Sequence, residues 1–289
     1  MTPLALVTVA HGEHEALAAQ IWALRRQSVL PDLHVVVALD DPELEWALGE
    51  HTAALDLPWE VEVVKVPASG DRGLPYATAY NAGVVTALES GAEIVALLDA
   101  TCTPMPGFVE GHARVLGPRV LAGTERPVLD CGPVHVLEPG RTVPPPHEWT
   151  STMLRAGTSG RPGGAARRRP SSLRTAWSRA FATTATSWTS VGGFDDGYLG
   201  HAGEDLDLGE RFAAASGTVL WTEDAAVLQH GDDDSAPQTR DLVDNANRFA
   251  RRWGRLPFEQ RLTELEEMGM VARADDGSLV TTSDPAPVG

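Results

Sequence analysis

Lysine is almost missing from this chain of 289 residues; Lys65 is the only one. Arginine therefore carries nearly all of the positive charge, and 23 basic against 40 acidic residues leave a formal net charge of −17. A surface of that sign repels nucleic acid and anionic lipid, so neither is expected as a main partner. It repels a nucleoside diphosphate as well, so an anionic substrate needs a local basic patch or a metal ion. Cysteine is scarce too. Cys102 and Cys131 lack C-x-x-C spacing and a partner histidine cluster, which argues against structural zinc. Two cysteines in a chain this long read as reduced cytosolic thiols. No apolar run reaches the roughly 18 residues of a membrane span. The N-terminus has no basic region ahead of its apolar run and reads as a first strand, not a signal peptide. A cytoplasmic location is expected. No G-x-G-x-x-G follows that strand and no Walker A sequence occurs, which disfavours a dinucleotide dehydrogenase or a P-loop NTPase. No internal repeat is visible.

What is present is an ordinary globular composition, 43% hydrophobic and 22% charged. The first hundred residues alternate strand and helix patterns. Short apolar runs at 4–10, 33–39, 60–66 and 93–98 predict strands. Helical spacing predicts helices at 13–26, 43–55 and 76–89. Buried strands separated by helices imply a mostly parallel sheet covered on both faces. Such sheets bind ligands beyond the carboxyl ends of their strands, which directs attention to Ala10-His11-Gly12, Asp40-Asp41, 67–72 and Asp99-Ala100-Thr101. Residues 157–172 are rich in Gly, Pro, Ser and Arg, cannot fill a core and read as a mobile loop. A helix is expected at 204–215, a strand at 219–221, further helices at 241–253 and 257–268, and a frayed tail at 275–289.

Two stretches together resemble the family 2 glycosyltransferases. One is Arg72-Gly-Leu-Pro-Tyr-Ala-Thr-Ala-Tyr-Asn81-Ala-Gly with Ile94-Val-Ala-Leu-Leu-Asp99-Ala-Thr-Cys-Thr-Pro104. The other is Val191-Gly-Gly-Phe-Asp-Asp-Gly-Tyr198, Gly203-Glu-Asp-Leu-Asp-Leu208 and Arg211, similar to the catalytic segment of galactosyltransferase-type and polypeptide N-acetylgalactosaminyltransferase-type enzymes. The resemblance covers roughly residues 4–231. It implies an α/β fold of GT-A type, a mostly parallel sheet flanked by helices, with C-terminal helices. Residues 1–104 would form the nucleotide-sugar-binding half, 105–235 the acceptor-binding and catalytic half, and 236–289 a helical segment and tail. It further implies a nucleotide-sugar donor, commonly carried on UDP, and a glycan or small-molecule acceptor.

The resemblance assigns candidate roles. Asp205 lies in the first turn of a helix, where the macrodipole favours its anion, and would be the base of an inverting displacement. Glu204 would orient the acceptor or replace it as base. Asp99 ends a buried strand where the family pattern is Asp-x-Asp, whose carboxylates hold Mn²⁺ or Mg²⁺ on the donor diphosphate. Here the pattern reads Asp99-Ala100-Thr101, so weaker metal affinity or metal-independent work is expected. His230 would complete the metal site. Ala10, His11, Asp40, Arg72 and Asn81 would contact the nucleotide. Gly192 and Gly193 would let backbone approach a sugar ring.

Each role has a plainer counterpart. Asp99 is a strand-end turn cap, Asp205 an ordinary first-turn acid, and His230 a strand-end histidine bonded to backbone. Asp40 is the N-cap of the next helix, and Asn81 bonds only backbone. Trp188 and Tyr198 read as core aromatics, with sugar stacking as the alternative. Asp207 and Arg211 read as a surface or structural pair. Arg167, Arg168 and Arg169 form either a solvated loop or a lid that clamps the diphosphate. Two further functions compete. A nucleotidyltransferase would need a basic, Gly-rich loop after the first strand, which Ala10-His11-Gly12-Glu13 is not. A non-catalytic protein that binds a nucleotide or glycan would explain Thr101 but not the retained Glu204-Asp205.

Overall fold

The computed structural model describes residues 2–53, 55–68, 70, 73–123, 126–137, 154–156, 180–200, 202–230 and 238–282. Three strands have the bounds that their apolar runs predict: β1 (Leu4–Ala10), β2 (Leu33–Leu39) and β3 (Glu60–Val66). Between them lie α1 (His14–Leu24) and α2 (Leu44–Thr52). Next come α3 (Tyr76–Glu89), β4 (Ile94–Leu98), β5 (Cys102–Pro104) and α4 (Phe108–Ala122). The middle of the chain adds β6 (Val128–Cys131), β7 (Val134–Leu137), β8 (Leu154–Ala156), β9 (Ala180–Thr184) and α5 (Ala185–Val191). The remainder comprises α6 (Glu204–Ala214), β10 (Thr218–Trp221), β11 (Val227–Gln229), α7 (Thr239–Trp253), α8 (Glu259–Glu267), β12 (Val271–Arg273) and β13 (Leu279–Thr281).

The main sheet has the order β10-β6-β9-β4-β1-β2-β3. Its β4-β1-β2-β3 half is parallel, while β9 runs antiparallel to both β4 and β6. Successive side chains of a strand point to opposite faces, and the core divides accordingly. Ala5, Val7, Val9, Val35, Val37, Val95 and Leu97 pack on one face with α3, Phe212 of α6 and Phe249 of α7. Leu4, Leu6, Val36, Ala38, Ile94, Ala96 and Leu98 pack on the other with α1, α2 and α4. The sheet is thus covered on both faces at β1, β2 and β4, whose residues are all buried, while the edge strand β3 leaves Glu60, Glu62 and Lys65 exposed.

A second sheet, β5-β11-β7-β8, sets Gln229 of β11 opposite Cys102 of β5. This pairing draws residue 230 to the carboxyl end of β4. The expected frayed tail needs correction over its first part. Residues 275–282 turn back at Gly277, and β13 pairs antiparallel with β12. Leu279 is buried in a third apolar cluster with Leu242, Val243 and Ala246 of α7, and Asn247 bonds its backbone through both N–H and C=O. Composition suggested a tail; burial of one leucine against α7 orders it. Cys102 and Cys131 are both buried, and no described helix is long and apolar enough to cross a membrane.

Candidate active site

The carboxyl ends of β1, β2 and β4 carry three of the expected loops. After β1, the Gly12 N–H and the His14 ring both meet the Asp41 carboxylate at 2.8 Å. Partial burial opposes the Asp41 charge, but the Gly12 N–H and His14 outweigh it and hold the carboxyl below its ordinary range. Asp41 also accepts the Glu43 N–H at the start of α2. Asp41, not Asp40, is therefore the acid that caps this turn. Asp40 has a left-handed φ of 48° and accepts the Ala68 N–H across the β2–β3 edge. His11 Nδ1 lies 2.7 Å from the Leu39 carbonyl. A carbonyl only accepts, so Nδ1 carries a proton. Ala10 is buried at the end of β1, and Arg72 lies outside the described residues.

Asp99 follows β4. Its Oδ1 accepts both the N–H and the hydroxyl of Thr101, at 2.8 and 2.6 Å. The hydroxyl that replaces the second carboxylate is thus turned onto the first. His230 packs on the same turn. Its N–H donates to the Thr101 carbonyl at 2.8 Å, and its Nε2 meets the Thr103 hydroxyl. Burial pushes its pKa down to about 4 against the opposing pull of Asp99, so the ring is neutral, the form that binds metal. Glu13 also feels Asp99, and burial raises its pKa. Among the described residues, no three His, Cys, Asp or Glu side chains form a group able to hold a metal ion. Asp99 and His230 lie close enough to interact electrostatically.

A buried relay behind Asp99 escaped sequence reading. Gln20 of α1 donates from Nε2 to the carbonyls of Asp99 and Cys102, each at 3.0 Å. Its Oε1 accepts the Thr8 hydroxyl at 2.9 Å, and Thr8 Oγ1 lies 3.0 Å from His34 Nε2. A glutamine on the buried side of a helix carries no motif; only the pairing of α1 against the β4–β5 turn gives it a partner.

The second motif forms a turn between α5 and α6. Asn81 of α3 grips it: Nδ2 donates to the Phe194 carbonyl and Asp196, and Oδ1 accepts the Phe194 N–H at 2.9 Å. A Cβ on Gly193 would stand 2.6 Å from Asn81 Oδ1 at a φ of +63°. Protein packing by itself therefore demands that glycine, and Gly192 ends α5 at a φ of +80°. Trp188 and Tyr198 are buried, in keeping with their reading as core aromatics. Asp207 is also fully buried, which removes the surface alternative for its pair with Arg211.

Glu204 and Asp205 open α6, both partly exposed. Asp205 Oδ1 accepts the Leu206 N–H at 2.7 Å, and Glu204 Oε2 accepts the Ala202 N–H at 3.1 Å. The Gly200 N–H donates to the Leu74 carbonyl at 2.8 Å, tying the approach to α6 to the segment that leads from β3 into α3. The candidate base and the candidate donor loops therefore belong to the same end of the sheet.

No protein-family profile matches the chain, and no curated protein matches its sequence. Solved structures do match. The fold is that of GT-A-type glycosyltransferases. GalNAc-T7, solved with UDP, GalNAc and Mn²⁺, superposes with a TM-score of 0.62 at 14% identity, over 92% of this chain and 50% of its own. Staphylococcus aureus TarS superposes with a TM-score of 0.59 at 11% identity, over 90% of this chain and 41% of its own. The TarS fragment 1–349 in complex with UDP-GlcNAc gives 0.60 at 12% identity, over 90% and 68%. The chain thus spans half or less of GalNAc-T7 and TarS.

Proposed function

We propose that this chain is a glycosyltransferase that moves a sugar from a nucleotide diphosphate to an acceptor hydroxyl with inversion. UDP is the carrier favoured here, because the structures of GalNAc-T7 and of the TarS fragment contain UDP or UDP-GlcNAc. The observation that carries the reading is the position of Glu204-Asp205. They begin a helix whose N-terminal dipole favours carboxylates, and their loop is bonded to the candidate donor half through Leu74. In this reading the acceptor oxygen attacks the anomeric carbon while Asp205 takes its proton. The bond from the anomeric carbon to the phosphate oxygen breaks, and the nucleoside diphosphate leaves with the electron pair. Glu204 orients the acceptor. Asp40, His11, Ala10 and Arg72 serve the nucleotide, and Asn81 braces the 193–196 turn.

A divalent ion, when bound, offsets charge on the departing diphosphate. Asp99 and His230 are the residues that would hold it, together with oxygens of the donor. A second reading, a protein that binds donor without turnover, draws on the Thr101 hydroxyl being bonded to Asp99.

Incubation with a panel of nucleotide sugars, with and without Mn²⁺, tests the proposal. Hydrolysis of at least one donor is expected, and Asp205→Asn should lower turnover by about 10²–10⁴ with donor binding retained. Donor binding without any hydrolysis supports the second reading. Full turnover in Asp205→Asn removes that residue from the mechanism.

A further inference from the structure

We propose that Asn245 of α7 is a positioning residue for this reaction: its buried carboxamide locks the strained approach to Glu204 and Asp205. The inference rests on the reading of Asp205 as the base. Asn245 is only 2% exposed. Its Nδ2 donates to the carbonyls of Leu199 and Ala202 at 2.7 and 2.8 Å, and its Oδ1 accepts the Leu199 N–H at 3.3 Å. Both amide protons thus end on one short stretch of backbone, immediately ahead of α6.

That stretch needs a lock. Gly200, Ala202 and Gly203 have φ values of +64°, +116° and +103°. Glycine accepts such angles; alanine does not, because its Cβ crowds the neighbouring carbonyl. Ala202 therefore holds an unfavourable conformation that its surroundings must enforce. Its carbonyl is fixed by Asn245, while its N–H is taken by Glu204 itself. Gly203 in turn accepts the Asp207 N–H, the first helical bond of α6, and packs so closely on Tyr198 that a Cβ would stand 2.9 Å from its ring. Any relaxation at Ala202 consequently rotates the first turn of α6 and displaces both carboxylates. An amide suits the position uniquely among small side chains: two carbonyls require two donors, and an N–H requires an acceptor. Aspartate matches the shape but supplies no donor.

The test uses the full chain. Asn245→Leu should speed hydrogen exchange at residues 202–206 by at least tenfold while exchange in β1 and β4 is unchanged. With the nucleotide sugar that the unmutated chain turns over, its kcat should fall about tenfold to a hundredfold, the scale of a small misplacement of a reacting group, with donor KM within twofold. Asn245→Asp should behave the same way despite its matching shape. Should both variants fail to fold, Ala202→Gly keeps the idea testable. Relief of strain should raise the melting temperature while the looser turn lowers kcat at least threefold. Unchanged exchange at 202–206 in Asn245→Leu, or unchanged kcat in Ala202→Gly, overturns the proposal. If exchange rises but Asp205→Asn keeps full turnover, the base assignment falls and the positioning claim with it, leaving a structural lock.

Discussion

Hydrogen-bond direction settles the state of the buried relay behind Asp99. Gln20 donates to two carbonyls, so its oxygen must face Thr8, and the single Thr8 proton goes there. His34 Nε2 is left to donate to Thr8, and Nδ1 is buried with no hydrogen-bond partner among the described residues. Burial accordingly pushes the His34 pKa down to about 3. The folded value lies below the ordinary 6.5, so the unfolded chain takes up the proton first. The His34 contribution to stability is level above pH 6.5 and declines as pH falls toward 3. At pH 5 the mismatch is 1.5 units, about 2 kcal/mol. His34→Gln should shrink the loss of urea-unfolding free energy between pH 7.5 and pH 5 by about that amount; an equal loss in both proteins refutes the assignment. The same scale governs Thr101. Replacing its hydroxyl with a carboxylate in Thr101→Asp should tighten Mn²⁺ binding to the nucleotide complex, read by calorimetry. Tight Mn²⁺ binding before the change, with complete loss of turnover to EDTA, would show that the missing carboxylate does not matter.

At the scale of elements, α7 joins the two segments that hold the second motif. Asp207 of α6 is fully buried and accepts bonds from Arg211, Arg252 and the Trp253 indole. Arg252 also reaches Asp195, which Arg248 grips through two nitrogens. Burial opposes the Asp195 charge, but Arg248, the Gly197 N–H and Arg252 keep its pKa low. A buried carboxylate stripped of a partner is costly. Arg211→Leu leaves Asp207 with Arg252 and the Trp253 indole, so it should destabilise by about 1.5–3 kcal/mol, the scale of a hydrogen bond to a charged group, whereas Arg261→Leu, which breaks an exposed pair with Glu264, should cost under about 1 kcal/mol. Equal urea midpoints for the two variants would contradict this ranking. None of these roles shows in the helical spacing of α7. Its sequence supplies arginines, and only the packing of α7 against residues 195–207 tells which of them meet buried acids.

The whole molecule carries its −17 charge on a fold held partly by attractive pairs, and the two effects respond oppositely to salt. Long-range self-repulsion is screened at physiological ionic strength, while the buried Asp207 contacts are screened much less. The melting temperature should therefore rise between 10 and about 150 mM NaCl, where the Debye length contracts to about 8 Å. A fall would mean that exposed attractive pairs outweigh the net repulsion. The C-terminal part belongs to the same fold, since Phe249 enters the main core and Leu242, Val243 and Ala246 bury Leu279. The arginine run at 167–169 lies outside the described residues.

Local pattern determined residues 4–98 because β1, β2 and β4 are continuous apolar runs and the edge strand β3 alternates glutamate with valine over its first half. Leu33–Leu39 and Tyr76–Glu89 were legible to the residue, and the places of Asp99 after β4 and of Asp205 in the first turn of α6 were visible because strand ends and helix starts leave a local pattern. Helix α4 escaped that reading because Gly111, Gly117 and Pro118 interrupt it, and the antiparallel insertion of β9 beside β4 has no local signal. The order of the sheet, the pairing that brings His230 to Thr101, and the grips of Gln20, Asn81 and Asn245 were decided only in three dimensions. A hydrogen bond between residues 43 to 129 positions apart leaves no periodicity to detect. It forms because burying those amides without partners would cost more than the chain can lose.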